Sequence, residues 1–208
     1  ADAARWYFYT INPPGETKNF DELEVQKAYR RMHLLLWNSF VFYKMYSKTN
    51  TKLKVHNSKE ALDMWIMARL NVTIGNVTKN LDKYEMRSAA LEIEKFVGDL
   101  SRWYIRRSRR RFQKPDNVLD HETASTTLNF VLISTAKLLA PFTPFFAETL
   151  WHELNESGSV HLCDWPVSDK NLVDNKLEEK MEKIRGIVAQ ALAERAKAGI
   201  KVRQPLLE

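Results

Sequence analysis

The sequence contains little cysteine, little glycine and no long hydrophobic run. Its 208 residues include one Cys and six Gly. A single cysteine cannot form an internal disulfide, which excludes the small disulfide-stabilised domains of secreted proteins. No stretch approaches the ~20 consecutive apolar residues of a transmembrane helix, so no membrane span is predicted. Because tight β-hairpin turns depend on glycine, its scarcity favours an all-α fold.

Apolar residues recur at helical spacing along most of the chain, which predicts an antiparallel helix bundle. The predicted helices cover residues 1–11, 20–46, 59–84, 87–114, 120–140, 143–154 and 175–198. The polar stretch 47–58 is expected to be a connection, 159–165 a short extended segment, and 200–206 the start of a strand. We expect Asp21, Asp120 and Thr143 to cap the N-termini of their helices.

Three apolar stripes are expected to face the core of this bundle. The helix 59–84 carries Ile66, Leu70, Ile74, Val77, Leu81 and Tyr84 on its stripe. The helix that follows carries Ala89, Ile93, Phe96, Leu100 and Trp103, and the last helix carries Leu177, Met181, Ile184, Val188, Ala191 and Leu192.

The positive charge of the chain is concentrated in one short segment. The formal net charge of the chain is +6. The segment 102–114 holds no acidic residue and seven basic ones: Arg102, Arg106, Arg107, Arg109, Arg110, Arg111 and Lys114. On a helix, Arg102, Arg106 and Arg109 share one face, and Arg107, Arg110 and Lys114 share the neighbouring face. Two such basic ridges are typical of a surface that binds a polyanion.

The residues between the arginines favour nucleic acid as that polyanion. Trp103, Tyr104 and Phe112 offer rings on which bases can stack, and each arginine can donate two hydrogen bonds to one phosphate. Arginines in a last helical turn also complement the helix dipole, which would account for one or two of them. A membrane-surface helix is disfavoured because the bundle core needs the apolar stripe. A helical scaffold or protein-interaction module, with its basic end facing an acidic protein and no RNA partner, remains the alternative.

No pattern of catalytic or metal-ligating residues is present. The sequence has no P-loop, no glycine-rich dinucleotide turn and no nucleophile elbow. His161 and Cys163 alternate on one segment, but a structural zinc needs four ligands and no second pair accompanies them. The sequence therefore predicts neither a catalytic site nor a metal site.

Several strings together resemble the anticodon-binding helix bundle of the class I aminoacyl-tRNA synthetases, and in particular the isoleucyl-tRNA synthetase family. They are ADAARWY at 1–7, LLWN at 35–38, DLSRWYIRRSRRRF at 99–112, APFTPFFAE at 140–148, SVHLCDWP at 159–166 and AGIKVRQPL at 198–206. Gln113 departs from the family pattern, which often has a second Trp there. The H-I-G-H and K-M-S-K-S nucleotide-binding motifs of the family are absent.

The resemblance implies a division of the chain and a partner. Residues 1–19 would link to a missing catalytic core, 20–198 would form the anticodon-binding bundle, and 199–208 would begin a missing C-terminal domain. The bundle would bind the anticodon stem and loop of isoleucine tRNA through the basic and aromatic residues of 102–114, with Asn38 as an additional polar contact. The chain itself would hold no cofactor.

The resemblance also describes a longer parent enzyme. That enzyme would be a cytoplasmic monomer that attaches isoleucine to its tRNA using ATP with magnesium. Its catalytic, editing and C-terminal domains would be the other partners of this bundle, and zinc can occur in those missing parts.

Overall fold

The helical periodicity of the sequence appears as a series of packed helices in the computed structural model, which describes residues 1–13, 15–17, 19–47, 58–154 and 156–205. The α-helices are α1 (Asp2–Thr10), α2 (Glu22–Tyr29), α3 (Leu35–Tyr46), α4 (Ala61–Asp82), α5 (Met86–Asp99), α6 (Arg106–Gln113), α7 (Val118–Leu139), α8 (Pro144–Glu153) and α9 (Asn175–Lys197). No strand occurs in these ranges, so the predicted all-α class is confirmed.

Two of the predicted long helices contain a π-helical turn. Arg30–Leu34 joins α2 to α3, and Leu100–Ile105 joins α5 to α6. A π turn holds more residues than an α turn, so it shifts every side chain that follows around the helix. The apolar stripe of α5 therefore continues from Leu100 to Tyr104, which are both fully buried, and not to Trp103 as predicted.

Contacts between Cα atoms divide the chain into two units, residues 1–173 and 174–208. This division differs from the predicted ranges 1–19, 20–198 and 199–208. In the first unit, α1 packs on α2, α5 and α8, and Trp6 of α1 is fully buried, so this helix is part of the bundle. The core of the bundle is built by α4, α5 and α7, whose Ile66, Ile93 and Leu128 are fully buried.

Several local predictions are corrected. Tyr84 lies past the end of α4 with a φ of 57° and is 83% exposed, so it is not a core residue. Helix α7 begins at Val118, and its cap is Asn117, which accepts a hydrogen bond from the backbone N–H of Asp120. Thr143 precedes α8 but makes no capping bond, whereas Asp21 caps α2 as expected.

The predicted extended and connecting segments also differ from expectation. Val160–Leu162 forms a short 3-10 turn between extended residues, and the described residues 200–205 form turns instead of a strand. Most of the predicted connection 47–58 lies outside the described residues.

The second unit contains α9. Of the side chains predicted to face inward on this helix only Met181 is buried, and Ile184 and Leu192 are 50% and 41% exposed. Within its own unit the helix has no second described helix to bury that face.

Candidate nucleic-acid interface

The basic cluster lies on the π turn Leu100–Ile105 and on α6, which follows it directly. The helix ends at Gln113 because Pro115 cannot continue it. Of the predicted site residues, Arg102, Arg106, Arg107, Arg109, Arg110 and Lys114 are exposed, and Trp103 is half-buried. The exposed guanidinium groups form one positively charged surface.

The first ridge of this surface lines a groove against α3. Arg102, Arg106 and Arg109 form one wall, and Asn38 and Phe42 of α3 form the other. The groove has a volume of about 360 Å³, and Ser39 and Ser101 add two hydroxyl groups to its lining. The guanidinium of Arg109 also lies 5.8 Å from the centre of the Phe42 ring. The fold thus brings Asn38 beside arginines that are more than sixty positions away in the sequence.

The second ridge lies beside Trp103, the half-buried aromatic residue of the basic surface. The guanidinium of Arg107 lies 4.6 Å from the centre of the Trp103 ring, which is within the range of a cation–π contact. Arg110 forms an exposed ion pair of 3.0 Å with Asp116. Lys114 follows at the end of α6.

Contrary to expectation, three predicted site residues do not lie on the exposed basic surface: Tyr104, Arg111 and Phe112. Tyr104 is fully buried and Phe112 is 3% exposed, so neither ring has a free face for a base. The Phe112 ring packs against Phe42 at 5.1 Å between ring centres. Arg111 belongs to a partly buried hydrogen-bonded cluster, so its charge is already compensated by the protein.

This cluster is centred on Asp63 of α4, whose side chain is fully buried. Arg111 donates two hydrogen bonds to Asp63, of 2.8 and 2.9 Å, and three to Asp120, the shortest of 2.6 Å. Burial by itself would lower the pKa of Arg111, but hydrogen bonding to Asp63 and then to Asp120 outweighs it and raises that pKa, so the guanidinium remains charged. The hydroxyl of Tyr104 donates to Asp63 at 2.7 Å, and burial, followed by the charge of Asp63, raises the pKa of this phenol.

Sequence reasoning missed Asp63, although a signal for it existed. It is an acidic residue at the start of an otherwise apolar run, Leu62-Asp63-Met64-Trp65-Ile66. A buried carboxylate requires a cationic or hydrogen-bonding partner, so such a position predicts a buried polar contact.

The remaining basic side chains are free to bind an anion. Within the described ranges, Arg102, Arg106, Arg107, Arg109 and Lys114 form no ion pair with an acidic side chain. Exposed cations this close together repel one another, and a polyanion relieves that repulsion. The same ranges contain no group of three side chains suited to hold a metal ion, and no helix in them is long and apolar enough to cross a membrane.

The family model described as the anticodon-binding domain of tRNA ligase matches residues 63–208, which is more than half of the chain. The chain belongs to this family. The match includes α6, α7 and α4 from Asp63 onward, and so both the arginine ridges and the Asp63–Arg111–Asp120 cluster that lies behind them.

Similar proteins agree with this assignment. The chain is 43% identical over its full length to isoleucine–tRNA ligase of Dehalococcoides mccartyi strain CBDB1, and 41% identical over 99% of its length to that of Thermus thermophilus. It spans about a fifth of the length of these curated relatives: 22% and 21%.

A solved structure shares the fold. The LeuRS chain in the ternary LeuRS–tRNA–LeuAMS complex of Agrobacterium radiobacter K84 agnB2 superimposes with a TM-score of 0.60 at 20% identity. The match covers 83% of this chain and 20% of that one.

Proposed function

We propose that this anticodon-binding domain belongs to an isoleucine–tRNA ligase, and that its basic surface binds the anticodon stem and loop of isoleucine tRNA. The observation that carries the proposal is the pair of arginine ridges, whose cations are largely unpaired and lie beside a groove lined by Asn38. The relatives' names support the choice of isoleucine tRNA.

The two ridges would neutralise phosphates on two neighbouring faces of the helix. Arg102, Arg106 and Arg109 neutralise phosphates at the edge of the groove, and Arg107, Arg110 and Lys114 do so on the neighbouring face. Anticodon-loop bases are unpaired, so their edges and faces are open to side chains. Trp103 supplies a ring for stacking, and the amide of Asn38 can both donate to and accept from a base edge. The phosphate contacts supply affinity and the base contacts supply selectivity.

Under the same proposal, the parent enzyme is a cytoplasmic monomer that joins isoleucine to its tRNA with ATP and magnesium. Its catalytic, editing and C-terminal domains contact this bundle, and any zinc is held by those parts. The chain described above supplies binding and positioning of the tRNA and contributes no catalytic residue.

The proposal is tested by measuring the fluorescence anisotropy of labelled isoleucine tRNA, and of its anticodon stem-loop, as the 208-residue chain is added. If about five phosphates are contacted, the logarithm of the affinity falls against that of the salt concentration with a slope of about −3.5 to −4.5. A transcript with a changed anticodon should bind more weakly. No RNA binding at low salt would instead favour the scaffold function.

A matched pair of variants tests whether RNA binds at this surface or is attracted by positive charge anywhere on the chain. Replacing Arg102, Arg106 and Arg109 together by Ala removes three cations from the groove. Replacing Lys79, Lys83 and Lys170 by Ala removes three exposed cations elsewhere. Lys79 lies ~24 Å along α4 from Asp63, given a rise of about 1.5 Å per residue. The arginine variant should lose most of the affinity and the lysine variant little; equal losses would contradict the assigned surface.

A further inference from the structure

The segment that carries the basic surface is attached to α4 by one ion pair near each end, the first buried and the second partly buried. Where the segment begins, Arg69 of α4 pairs with Asp99 at 3.0 Å, and both side chains are less than 10% exposed. Near its end, Asp63 of α4 pairs with Arg111 at 2.8 Å, and their side chains are 0% and 15% exposed. Four unpaired cations lie between these two attachments: Arg102, Arg106, Arg107 and Arg109. Lys114 follows the second attachment.

The two ion pairs have opposite polarity. Helix α4 contributes the acid of one pair and the base of the other, and the segment contributes the complementary charges. Sliding or rotating the segment on α4 would leave a charge buried without its partner, which is strongly unfavourable. The arrangement therefore selects one register and one rotation of the segment.

The attachment at Asp63 is the more extensive of the two. Its carboxylate accepts hydrogen bonds from Ser58, Tyr104 and Arg111, and Arg111 also reaches Asp120 in the first turn of α7. The π turn, α6, α4 and α7 thus meet in one cluster. Fixing the rotation matters because successive residues of a helix are about 100° apart. A displacement by one position would turn Arg102, Arg106 and Arg109 away from Asn38.

We propose that Asp63 and Arg111 are positioning residues for RNA binding, which fix the rotation of α6 and so direct its outer arginines toward the RNA. This inference rests on the proposed function. Asp63 has no exposed surface and cannot touch RNA itself.

The test compares Asp63→Asn with Asp116→Asn in the anisotropy assay described above. Both substitutions remove one negative charge, so electrostatics alone would raise the affinity for RNA in each case. Asp63→Asn should instead weaken binding by at least about tenfold, the effect of losing one charge-assisted contact. Asp116→Asn frees Arg110 at the surface and should leave the affinity unchanged or slightly higher. Arg111→Lys keeps the charge but not the bidentate geometry, so it should also weaken binding.

Circular dichroism and amide hydrogen exchange distinguish a local loosening of α6 from a general loss of folding. In Asp63→Asn the helical content should be retained, while the amides of α6 exchange faster than in the unsubstituted chain and those of α5 do not. A folded Asp63→Asn variant that binds RNA as tightly as the unsubstituted chain, or more tightly, overturns the positioning role.

If Asp63→Asn does not fold, Arg111→Lys decides, because it keeps the positive charge beside Asp63 and removes the bidentate contact that fixes the rotation of α6. Weaker RNA binding by a folded Arg111→Lys variant supports the proposal, and unchanged or tighter binding overturns it. Absence of RNA binding by the unsubstituted chain overturns the proposed function and with it the positioning role, so the two failures are distinguishable.

Discussion

The guanidinium group of Arg107 lies over the ring of Trp103, 4.6 Å from its centre. The two residues are four positions apart, one in the π turn and the other in the first turn of α6. The contact places a positive charge directly beside the half-buried aromatic side chain of the basic surface. A base that stacks on Trp103 would therefore bring its phosphate close to Arg107.

Replacing Trp103 should weaken RNA binding more than replacing another partly buried tryptophan. A base stacked on an aromatic side chain contributes about 1–3 kcal/mol, so Trp103→Ala should reduce affinity by about tenfold or more, and Trp103→Phe should retain most of it. Trp165→Ala is the control, because that indole donates to Thr78 of α4. Anisotropy titrations check this, and equal affinities of the two Ala variants would contradict the stacking role.

Arg109 and Arg110 are neighbours with different surroundings, so their loss should have different effects. Arg109 lines the groove and forms no ion pair in the described ranges, whereas Arg110 must exchange Asp116 for a phosphate. Arg109→Ala should reduce both the affinity and the magnitude of the salt slope, by about 0.7–0.9 for one phosphate contact. Arg110→Ala should change both less. Affinities measured over a salt series decide, and indistinguishable slopes would show that the cations act only as a diffuse field.

The stability of the first turn of α8 should depend on Asp2, which lies far from it in sequence but contacts it in the fold. The carboxylate of Asp2 accepts a hydrogen bond of 2.6 Å from the backbone N–H of Phe146. Asp2→Ala should lower the free energy of unfolding by about 0.5–2 kcal/mol, as for other helix caps, and Asp2→Asn should lower it less because an acceptor remains. Urea unfolding measures both, and an unchanged midpoint for Asp2→Ala would exclude this contact as a cap.

This cap illustrates which parts of the fold the sequence could predict. Apolar spacing predicted the long helices because that signal is local, and Asp21 was identified as a cap because it is adjacent to its helix. The cap of α8 comes from a residue 144 positions away, so no local pattern reveals it. The α9 stripe was assigned to a core on spacing alone, and spacing does not show whether a second helix is present to cover it.

The candidate site also combines features that the sequence predicts with features that it does not. Counting arginines located the basic surface but did not show which side of the helix faces the core. Leu100, Tyr104, Ser108 and Phe112 recur every four residues and are all buried, so they continue the apolar stripe that begins in α5. Recognising the stripe would have placed Tyr104 and Phe112 in the interior. The π turn at Leu100–Ile105 itself follows from no pattern recognised in the sequence.

His33 should make the stability of the bundle depend on pH. Its ring is 2% exposed and lies among Trp6, Tyr29 and Phe146, and neither ring nitrogen has a hydrogen-bond partner in the described part of the chain. Burial, with a smaller effect of the positively charged N-terminus, lowers the pKa of His33 from 6.5 to about 4. The folded protein therefore keeps this ring neutral at a pH where the unfolded chain already protonates it.

Because the folded-state pKa is the lower one, the stability due to a neutral His33 is complete above pH 6.5 and is lost as the pH falls toward 4. The loss amounts to about 3 kcal/mol at the acidic end, from 1.36 kcal/mol per pKa unit. His33→Phe fills the same aromatic site without a titratable group and should remove this dependence. Urea unfolding of both proteins at several pH values between 7.5 and 4 measures the difference between their unfolding free energies. Other titrating groups are common to both proteins and cancel, so a difference that stays constant with pH would show that His33 is protonated equally in the folded and unfolded chains.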